Sequence, residues 1–213
     1  MNYKTPFVIL TLLSIAFSPF GKEAIAEDKS YYTLLDKVKS FDRSVDFKAL
    51  RLSYTETSEY DPYNENTSET MAMFNALNSK QYKEAIKNAL SILESSYVNI
   101  PAHIVLSISY RAIGDSGKSD FHDFVVKGLL DSIFDSGQGR SPESAYQVIS
   151  IKEEYVILDV LGLEKKIQSL IVSGGHSYDR IEATNPKTGK TEVFYFNVDI
   201  PLGWLNKQFQ KDK

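Results

Sequence analysis

Apolar residues in the first part of the chain recur with the spacing of helices. Tyr31, Leu34 and Val38 fall at i, i+3 and i+7, which places them on one face of an amphipathic helix. A second apolar set in DFKALRLSY, residues 46–54, follows the same period. The pattern therefore predicts two helices before the polar stretch 55–70, which we interpret as a loop leading to another helix.

Residues 77–115 hold the clearest pair of helical patterns. From about Lys80 to Glu94 the apolar side chains form one face, and the segment that follows is apolar nearly all round. A helix that is apolar on every side is a buried one. Pro101 suits the first turn of this second helix and Gly114 suits its end. The pair therefore predicts a helical hairpin whose second helix is central.

The apolar pattern changes after the glycine-containing segment 136–144. Runs typical of strands follow, namely AYQVIS, KIQSLIV, SYDRIEAT and TEVFYFNV. The last two runs flank NPKTGK, which favours a hairpin turn. Residues 152–162 fit either a helix or a strand, although Gly162 favours a helix that ends there. The closing segment PLGWLNKQF predicts a helix that covers the sheet.

The order of these patterns predicts an α+β fold. We expect helical hairpins in residues 27–135, and a small antiparallel β-meander with flanking helices in residues 136–213, packed on them as one compact unit. Residues 1–26 have the basic start, the apolar run and the Ala-x-Ala end of a signal peptide. Cleavage near Ala26 would release an exported chain, periplasmic or secreted, with no membrane anchor.

Charge and cysteine content narrow the classes of function. The chain has 24 Lys and Arg against 28 Asp and Glu, a formal net charge of −4. A mildly acidic surface argues against nucleic acid as a partner. Because the chain has no cysteine, neither disulfides nor a lipid-bearing cysteine can contribute to an exported form. We predict no cofactor and no metal.

Residues 69–134 resemble tetratricopeptide repeats. Tyr82 and Ala85 stand at signature positions of one unit, and Tyr110 and Gly114 stand at those of the next. The dipeptides Lys80-Gln81 and Gly114-Asp115 lie 34 positions apart, which is the period of that repeat.

The tetratricopeptide resemblance implies a function. Stacked helical hairpins of this kind create a concave binding surface. It therefore implies a non-catalytic module that binds a protein or peptide, with Ile104, Ile108 and Arg111 facing the groove.

A longer resemblance covers about residues 46–206. It is carried by the order of FKALRLSYTETSEYDPY, AHIVLSISY, SGQGRSPESAY, EEYVIL, SYDRIEA and VFYFNVDIP. This order is similar to that of a bacterial exported family described only as a domain of unknown function. The resemblance supports a helical first half and a strand-rich end, and it implies no activity, substrate or site.

Two histidines carry an alternative hypothesis, a hydrolase or metal-dependent enzyme. His103 and His122 lie on consecutive helices that we expect to be antiparallel. With a carboxylate from Glu153 or Glu154 they would provide acid–base or metal chemistry, and His103, His122 and Glu154 are the candidate catalytic residues. A third alternative, a secreted inhibitor or immunity-type protein, is not separated from a binding module by the sequence.

The segment GGHSYDRIEA contains the residue types of a catalytic triad within four positions. Successive side chains of a strand point to opposite faces, so His176 lies opposite Ser177 and Asp179. Contiguous residues therefore cannot form a triad, in which a base must contact both the nucleophile and an orienting group. Gly174 and Gly175 before the strand favour a tight turn.

Overall fold

The computed structural model of the chain describes residues 20–63 and 67–211. Helices fill the first part of it: α1 (Phe20–Lys39), α2 (Phe47–Tyr54), α3 (Thr67–Asn78), α4 (Tyr82–Ser95), α5 (Ile100–Ala112) and α6 (Ser116–Phe134). The second part contains β1 (Tyr146–Gln147), α7 (Ile151–Val160), β2 (Glu164–Ser173), β3 (His176–Thr184), β4 (Thr191–Asn197) and α8 (Asp199–Lys211). The predicted α+β class is confirmed.

Side chains that cap helices explain where several of them begin. Asp46, Asn99 and Asp115 precede α2, α5 and α6, and each accepts a hydrogen bond from the backbone N–H three residues later, at 2.9 to 3.1 Å. Such bonds satisfy N–H groups that have no partner inside the helix. Helix α5 is followed by Gly114, whose φ of +84° suits glycine.

Helices α3 to α6 pack in series along the chain, α3 on α4, α4 on α5 and α5 on α6. Helix α4 exposes Leu90 of the apolar face that its period predicts, and it buries Ala85, Ala89 and Leu93 of the same face. The three buried residues share a core cluster with Met73 of α3 and Leu106 of α5. Helix α5 is thus central to the hairpins, and the tetratricopeptide resemblance stays a prediction.

The strands form one sheet in the order β1-β4-β3-β2. Strands β2, β3 and β4 are antiparallel neighbours, whereas β1 pairs with β4 in parallel through Tyr146 and Phe196. The predicted antiparallel meander is therefore present in β2, β3 and β4, but the sheet as a whole is mixed because β1 is parallel. The predicted strand in residues 145–150 is short because Ile149 bonds elsewhere: its N–H donates to Glu153 at 2.9 Å, and its carbonyl oxygen accepts from Tyr60 at 2.6 Å.

Glycines mark the ends of elements in the second part of the chain. Residues 152–162 are helical for most of their length, and α7 ends before Gly162, whose φ is +68°. Between β2 and β3, Gly174 and Gly175 have φ values of +59° and +85°. Such values are accessible to glycine without strain, so the predicted turn is present.

One core cluster joins helices and sheet. Its fully buried members include Leu50 of α2, Leu129 of α6, Ile157 of α7, Ile181 of β3 and Phe194 of β4. These side chains lie on one face of the sheet and on the inner faces of the three helices. The domain boundary near residue 136 stays a prediction.

The apolar run of the predicted signal peptide lies outside the described residues. The predicted cleavage point, Ala26, lies within α1, so cleavage there would shorten this helix to residues 27–39. No helix within residues 20–63 and 67–211 is long and apolar enough to cross a membrane. Export itself stays a prediction.

Candidate functional site

A groove lies between α1, α4 and α6. Its volume is about 660 Å³, which falls in the range of about 300 to 1,000 Å³ typical of ligand sites. We name it the tyrosine groove after its aromatic lining, which consists of Tyr31, Tyr32, Tyr54, Tyr97 and Phe121. Leu35, Leu90 and Leu93 complete its apolar surface.

Two buried tyrosines form the floor of the tyrosine groove. The ring centroids of Tyr31 and Tyr54 lie 5.4 Å apart, and the Tyr54 hydroxyl donates to the carbonyl oxygen of Ser95 at 3.1 Å. Burial raises the pKa of both hydroxyls, so both stay protonated at neutral pH. These contacts join α1, α2 and α4, and the floor is therefore built by the fold itself.

Apolar side chains at the mouth of the groove remain accessible. Tyr32 and Leu90 are each 43% exposed, and Tyr97 and Phe121 are half-buried. Aromatic side chains in partly open clefts are well suited to contacts with a partner, because they offer a large apolar area and few rotatable bonds. The groove therefore presents a fixed floor and an accessible apolar wall.

Charged side chains line the rim, namely Asp36, Lys39, Glu59, Glu94 and Lys118. The Lys118 ammonium group pairs with Asp115 at 3.1 Å, and the Lys39 ammonium group lies 5.4 Å from the centroid of the Tyr97 ring. The three carboxylates form no ion pair with any residue that the structure describes. Because Lys118 is paired with Asp115, the three carboxylates outnumber Lys39, and the rim is net negative.

The hairpin of α5 and α6 brings His103 and His122 together in the wall beside the groove. Their Nδ1 atoms lie 2.9 Å apart, and Nε2 of His103 lies 2.8 Å from the carbonyl oxygen of Tyr97. His103 is fully buried, and His122 is 6% exposed and lines the tyrosine groove. The rings of His122 and Tyr110 are stacked with centroids 5.7 Å apart.

Burial keeps both histidines neutral. It lowers the pKa of His103 to about 3 and the pKa of His122 to about 4. A general acid or base works best when its pKa is near the working pH. The pair therefore lacks the protonation behaviour of a catalyst at neutral pH.

Glu153 belongs to a buried ion pair. Nε and Nη2 of Arg51 donate to its two carboxylate oxygens at 3.0 and 2.8 Å. The same guanidinium group donates to Ser132 Oγ and to the carbonyl oxygen of Gln147, each at 3.0 Å. Each guanidinium nitrogen of Arg51 and each carboxylate oxygen of Glu153 has a partner, so the network connects α2, α6, β1 and α7.

Glu154 lies between α7 and the sheet. Nε2 of Gln168 donates to Glu154 at 3.2 Å and to Asp179 at 2.7 Å. Burial, and next the nearby carboxylate of Asp179, raise the pKa of Glu154 to about 9. No hydrogen bond within the described residues links either glutamate to the histidine pair. The candidate catalytic residues are thus held in separate networks.

Ile104, Ile108 and Arg111 lie on one stripe of α5. Ile104 packs partly against the larger core cluster, and Ile108 is 42% exposed. Arg111 forms an ion pair with Asp123 of α6, and its Nη2 lies 3.4 Å from Ser107 Oγ. The stripe is a partly open surface, and none of the three residues lines the tyrosine groove.

His176 contacts the carboxylate of Asp199, which lies outside the GGHSYD segment. Its Nδ1 lies 2.6 Å from Asp199 Oδ2, and the other oxygen of Asp199 accepts the Ser177 backbone N–H at 2.7 Å. Asp179 bonds Gln168 instead. The GGHSYD segment therefore forms a turn and a strand start that are tied to the beginning of α8.

The tyrosine groove was missed by the sequence analysis. Its walls come from α1, α4 and α6, which are not consecutive, so no local motif joins them. One signal was available at Tyr32. It is an aromatic residue outside the face formed by Tyr31, Leu34 and Val38, and a helix that only covers a core has no need of it.

Among the described residues, no group of three or more His, Cys, Asp or Glu side chains could hold a metal ion. Comparison with protein families matches residues 22–206 to the family model described as Domain of unknown function (DUF4919). This span runs from α1 to α8 and includes every groove residue named above. No curated protein and no solved structure matches the chain.

Proposed function

The chain belongs to the family Domain of unknown function (DUF4919), and on that premise we propose that it is a non-catalytic module that binds a protein or peptide segment in the tyrosine groove. The family description assigns no activity, so the proposal rests on the groove. The observation that carries it is the combination of a built aromatic floor with two accessible apolar side chains, Tyr32 and Leu90.

The size and chemistry of the groove support a polypeptide segment of a partner as its occupant. Aromatic residues are enriched among the side chains that dominate binding energy in protein interfaces. The groove is open along its mouth, and its rim carries charges from four different parts of the chain. An extended or helical segment would bury the apolar wall while its polar groups remain at the rim.

Two features of the whole chain fit the same proposal. The serial packing of α3, α4, α5 and α6 is compatible with tetratricopeptide-like hairpins, a class that binds protein segments. The signal-peptide pattern in residues 1–26 supports work in the bacterial envelope or outside the cell. Cleavage after Ala26 would retain the part of α1 that lines the groove, which begins at Tyr31.

The hydrolase alternative gains no support from the contacts. The histidine pair is neutral and buried, Glu153 is bonded to Arg51, and Glu154 is bonded to Gln168. An inhibitor or immunity-type protein would be one form of the binding module, since such a protein acts by holding a partner.

A selection from random displayed peptides on the mature chain tests the proposal. Selected peptides should bind the wild-type protein and lose about tenfold in affinity to Leu90→Gln, which removes an apolar contact worth about 1 to 2 kcal/mol. Leu170→Gln is the matched control, because Leu170 is also exposed, at 57%, but lies on β2. Its affinity should equal that of the wild type.

Three results would contradict the proposal. Peptides that bind both glutamine variants equally well would place binding outside the tyrosine groove. A loss confined to Ile108→Gln or Arg111→Ala, with unchanged melting temperatures, would move the site to the α5 stripe. Absence of any selected peptide that depends on Leu90 would remove the groove as the binding site.

A further inference from the structure

We propose that the tyrosine groove selects a segment carrying a lysine or arginine side chain, whose N–H groups donate to Nε2 of His122. This inference rests on the proposed function and adds the chemistry of the occupant. Three features carry it: the fixed tautomers of the histidine pair, the unpaired carboxylates at the rim and the aromatic wall.

The hydrogen bonds of His103 fix the tautomers of both rings. The carbonyl oxygen of Tyr97 can only accept, so Nε2 of His103, at 2.8 Å, carries a hydrogen. A neutral imidazole has one N–H, so Nδ1 of His103 is an acceptor. Nδ1 of His122, at 2.9 Å, must then donate to it. Nε2 of His122 is left with a lone pair.

That lone pair belongs to a residue of the groove wall. His122 lines the tyrosine groove, and its Nε2 has no hydrogen-bond partner within residues 20–63 and 67–211. Burial lowers the pKa of His122 to about 4, so the lone pair is not protonated at neutral pH. A ligand atom placed there has to be an N–H or O–H donor.

The rim favours a donor that is positively charged. Asp36, Glu59 and Glu94 are exposed and form no ion pair with the described part of the chain. Of the two rim lysines, Lys118 is already paired with Asp115, and Lys39 offsets only one of the three carboxylates, so the rim keeps an excess of negative charge. A cationic ligand therefore meets attraction at the rim, whereas an acidic ligand meets repulsion.

The aromatic wall suits a cation with an apolar stem. A cation near the face of an aromatic ring is attracted by the electron-rich face. The Lys39 ammonium group already lies 5.4 Å from the Tyr97 ring centroid, so we assign the ligand cation to Phe121, which lines the same groove. The methylene groups of lysine or arginine pack on apolar surface while the charged end reaches polar groups. Leu90 and Phe121 offer such a surface beside His122.

Three libraries of short displayed peptides test this selectivity. They are random except at the central position, which is fixed as Lys or Arg, as Gln, or as Glu. We expect the basic library to be recovered on the full mature chain about tenfold more than the glutamine library. The glutamate library should be recovered least.

His122→Asn removes the Nε2 acceptor of His122 and keeps a hydrogen-bond donor toward His103. The Asn amide can still donate toward His103 from the position of Nδ1, but it places no acceptor at the position of Nε2. We expect this variant to melt at a lower temperature, because a buried ring is lost, and to lose most of the preference for the basic library when it is assayed below that temperature. Glu59→Gln and Glu94→Gln change exposed side chains, and together they should also lower that preference if His122→Asn fails to fold.

The outcomes distinguish the two proposals. If the basic and glutamine libraries are recovered equally and recovery still depends on Leu90, the proposed selectivity for lysine or arginine is overturned and the binding function remains. A basic preference that persists in His122→Asn and in the double glutamine variant would also overturn it. Recovery that does not depend on Leu90 in any library would overturn both.

Discussion

Glu154 changes its protonation state when the chain folds. Burial and the nearby Asp179 carboxylate raise its pKa from 4.5 to about 9. Between these two values the unfolded chain carries an ionised Glu154 and the folded chain a protonated one. The stabilisation from this raised pKa is therefore fully present below pH 4.5 and is lost as the pH rises toward 9.

Glu154→Gln should remove this pH dependence. The glutamine amide can still accept from Gln168 and can donate to Asp179, but it cannot ionise. The unfolding free energy of the variant minus that of the wild type should therefore increase by about 1.4 kcal/mol per pH unit between about pH 6 and 9. Urea unfolding at several pH values measures this difference, and parallel curves for the two proteins would contradict it.

The protonation states of single buried residues could not be predicted from the sequence. The sequence places His103 and His122 on consecutive helices, but whether the two rings meet depends on how the hairpin packs. Sequence reasoning groups Glu154 with them only because few other groups could do acid–base work. Its neighbours are Gln168 and Asp179 on strands, and its burial depends on packing between α7 and the sheet, which no local pattern encodes.

The buried pair of Arg51 and Glu153 connects four elements. Arg51 of α2 is 2% exposed and bonds Glu153 of α7, Ser132 of α6 and the carbonyl oxygen of Gln147 in β1. Removing one partner of such a pair leaves the other charge buried without compensation. The position of α7 against α2 therefore depends on both residues.

Single and double variants measure this coupling. Arg51→Met and Glu153→Gln should each lower the unfolding free energy by about 3 to 5 kcal/mol. The double variant should lose clearly less than the sum, because neither charge remains. Denaturant unfolding of the four proteins gives the coupling energy, and additive losses would argue against a shared network.

Gly128 sets how closely α2 and α6 approach. A Cβ atom at this position would lie 2.2 Å from ring atoms of Phe47. Gly128→Ala should therefore destabilise the protein by about 1 to 3 kcal/mol through overpacking. Phe47→Leu in the same chain should relieve part of the loss.

Gly203 provides the matched control for that prediction. It lies in α8 with no atom within 4 Å of a Cβ. Gly203→Ala should be neutral or should stabilise by up to about 1 kcal/mol, since alanine favours a helix. Thermal unfolding of both variants checks the pair, and equal effects would contradict the close approach at Gly128.

Helices were easier to predict than strand β1, for a physical reason. The period of α4 depends only on which of its residues are apolar, and the predicted face is buried at Ala85, Ala89 and Leu93, whereas Leu90 is exposed at the tyrosine groove. The run AYQVIS has the composition of a strand, but the backbone of Ile149 bonds two side chains instead of a neighbouring strand. Tyr60 is distant in the sequence, and Glu153 belongs to α7. Those bonds end the strand after Gln147.

The arrangement of the complete chain creates the tyrosine groove. Residues of α1, α4 and α6 meet there, together with Tyr54 of α2 and Tyr97 before α5. The order of helices and strands was predictable because each element has its own period. The groove was not, because it depends on the angles at which separate helices cross.

Photo-crosslinking of a selected peptide to the mature chain tests the central claim most directly. A photoreactive group at the central position of the peptide marks the residues that it contacts, and mass spectrometry identifies them. We predict crosslinks to Tyr32, Leu90 and Phe121 in the tyrosine groove. Crosslinks confined to Ile108 on α5 or to Leu170 on β2 would contradict the account.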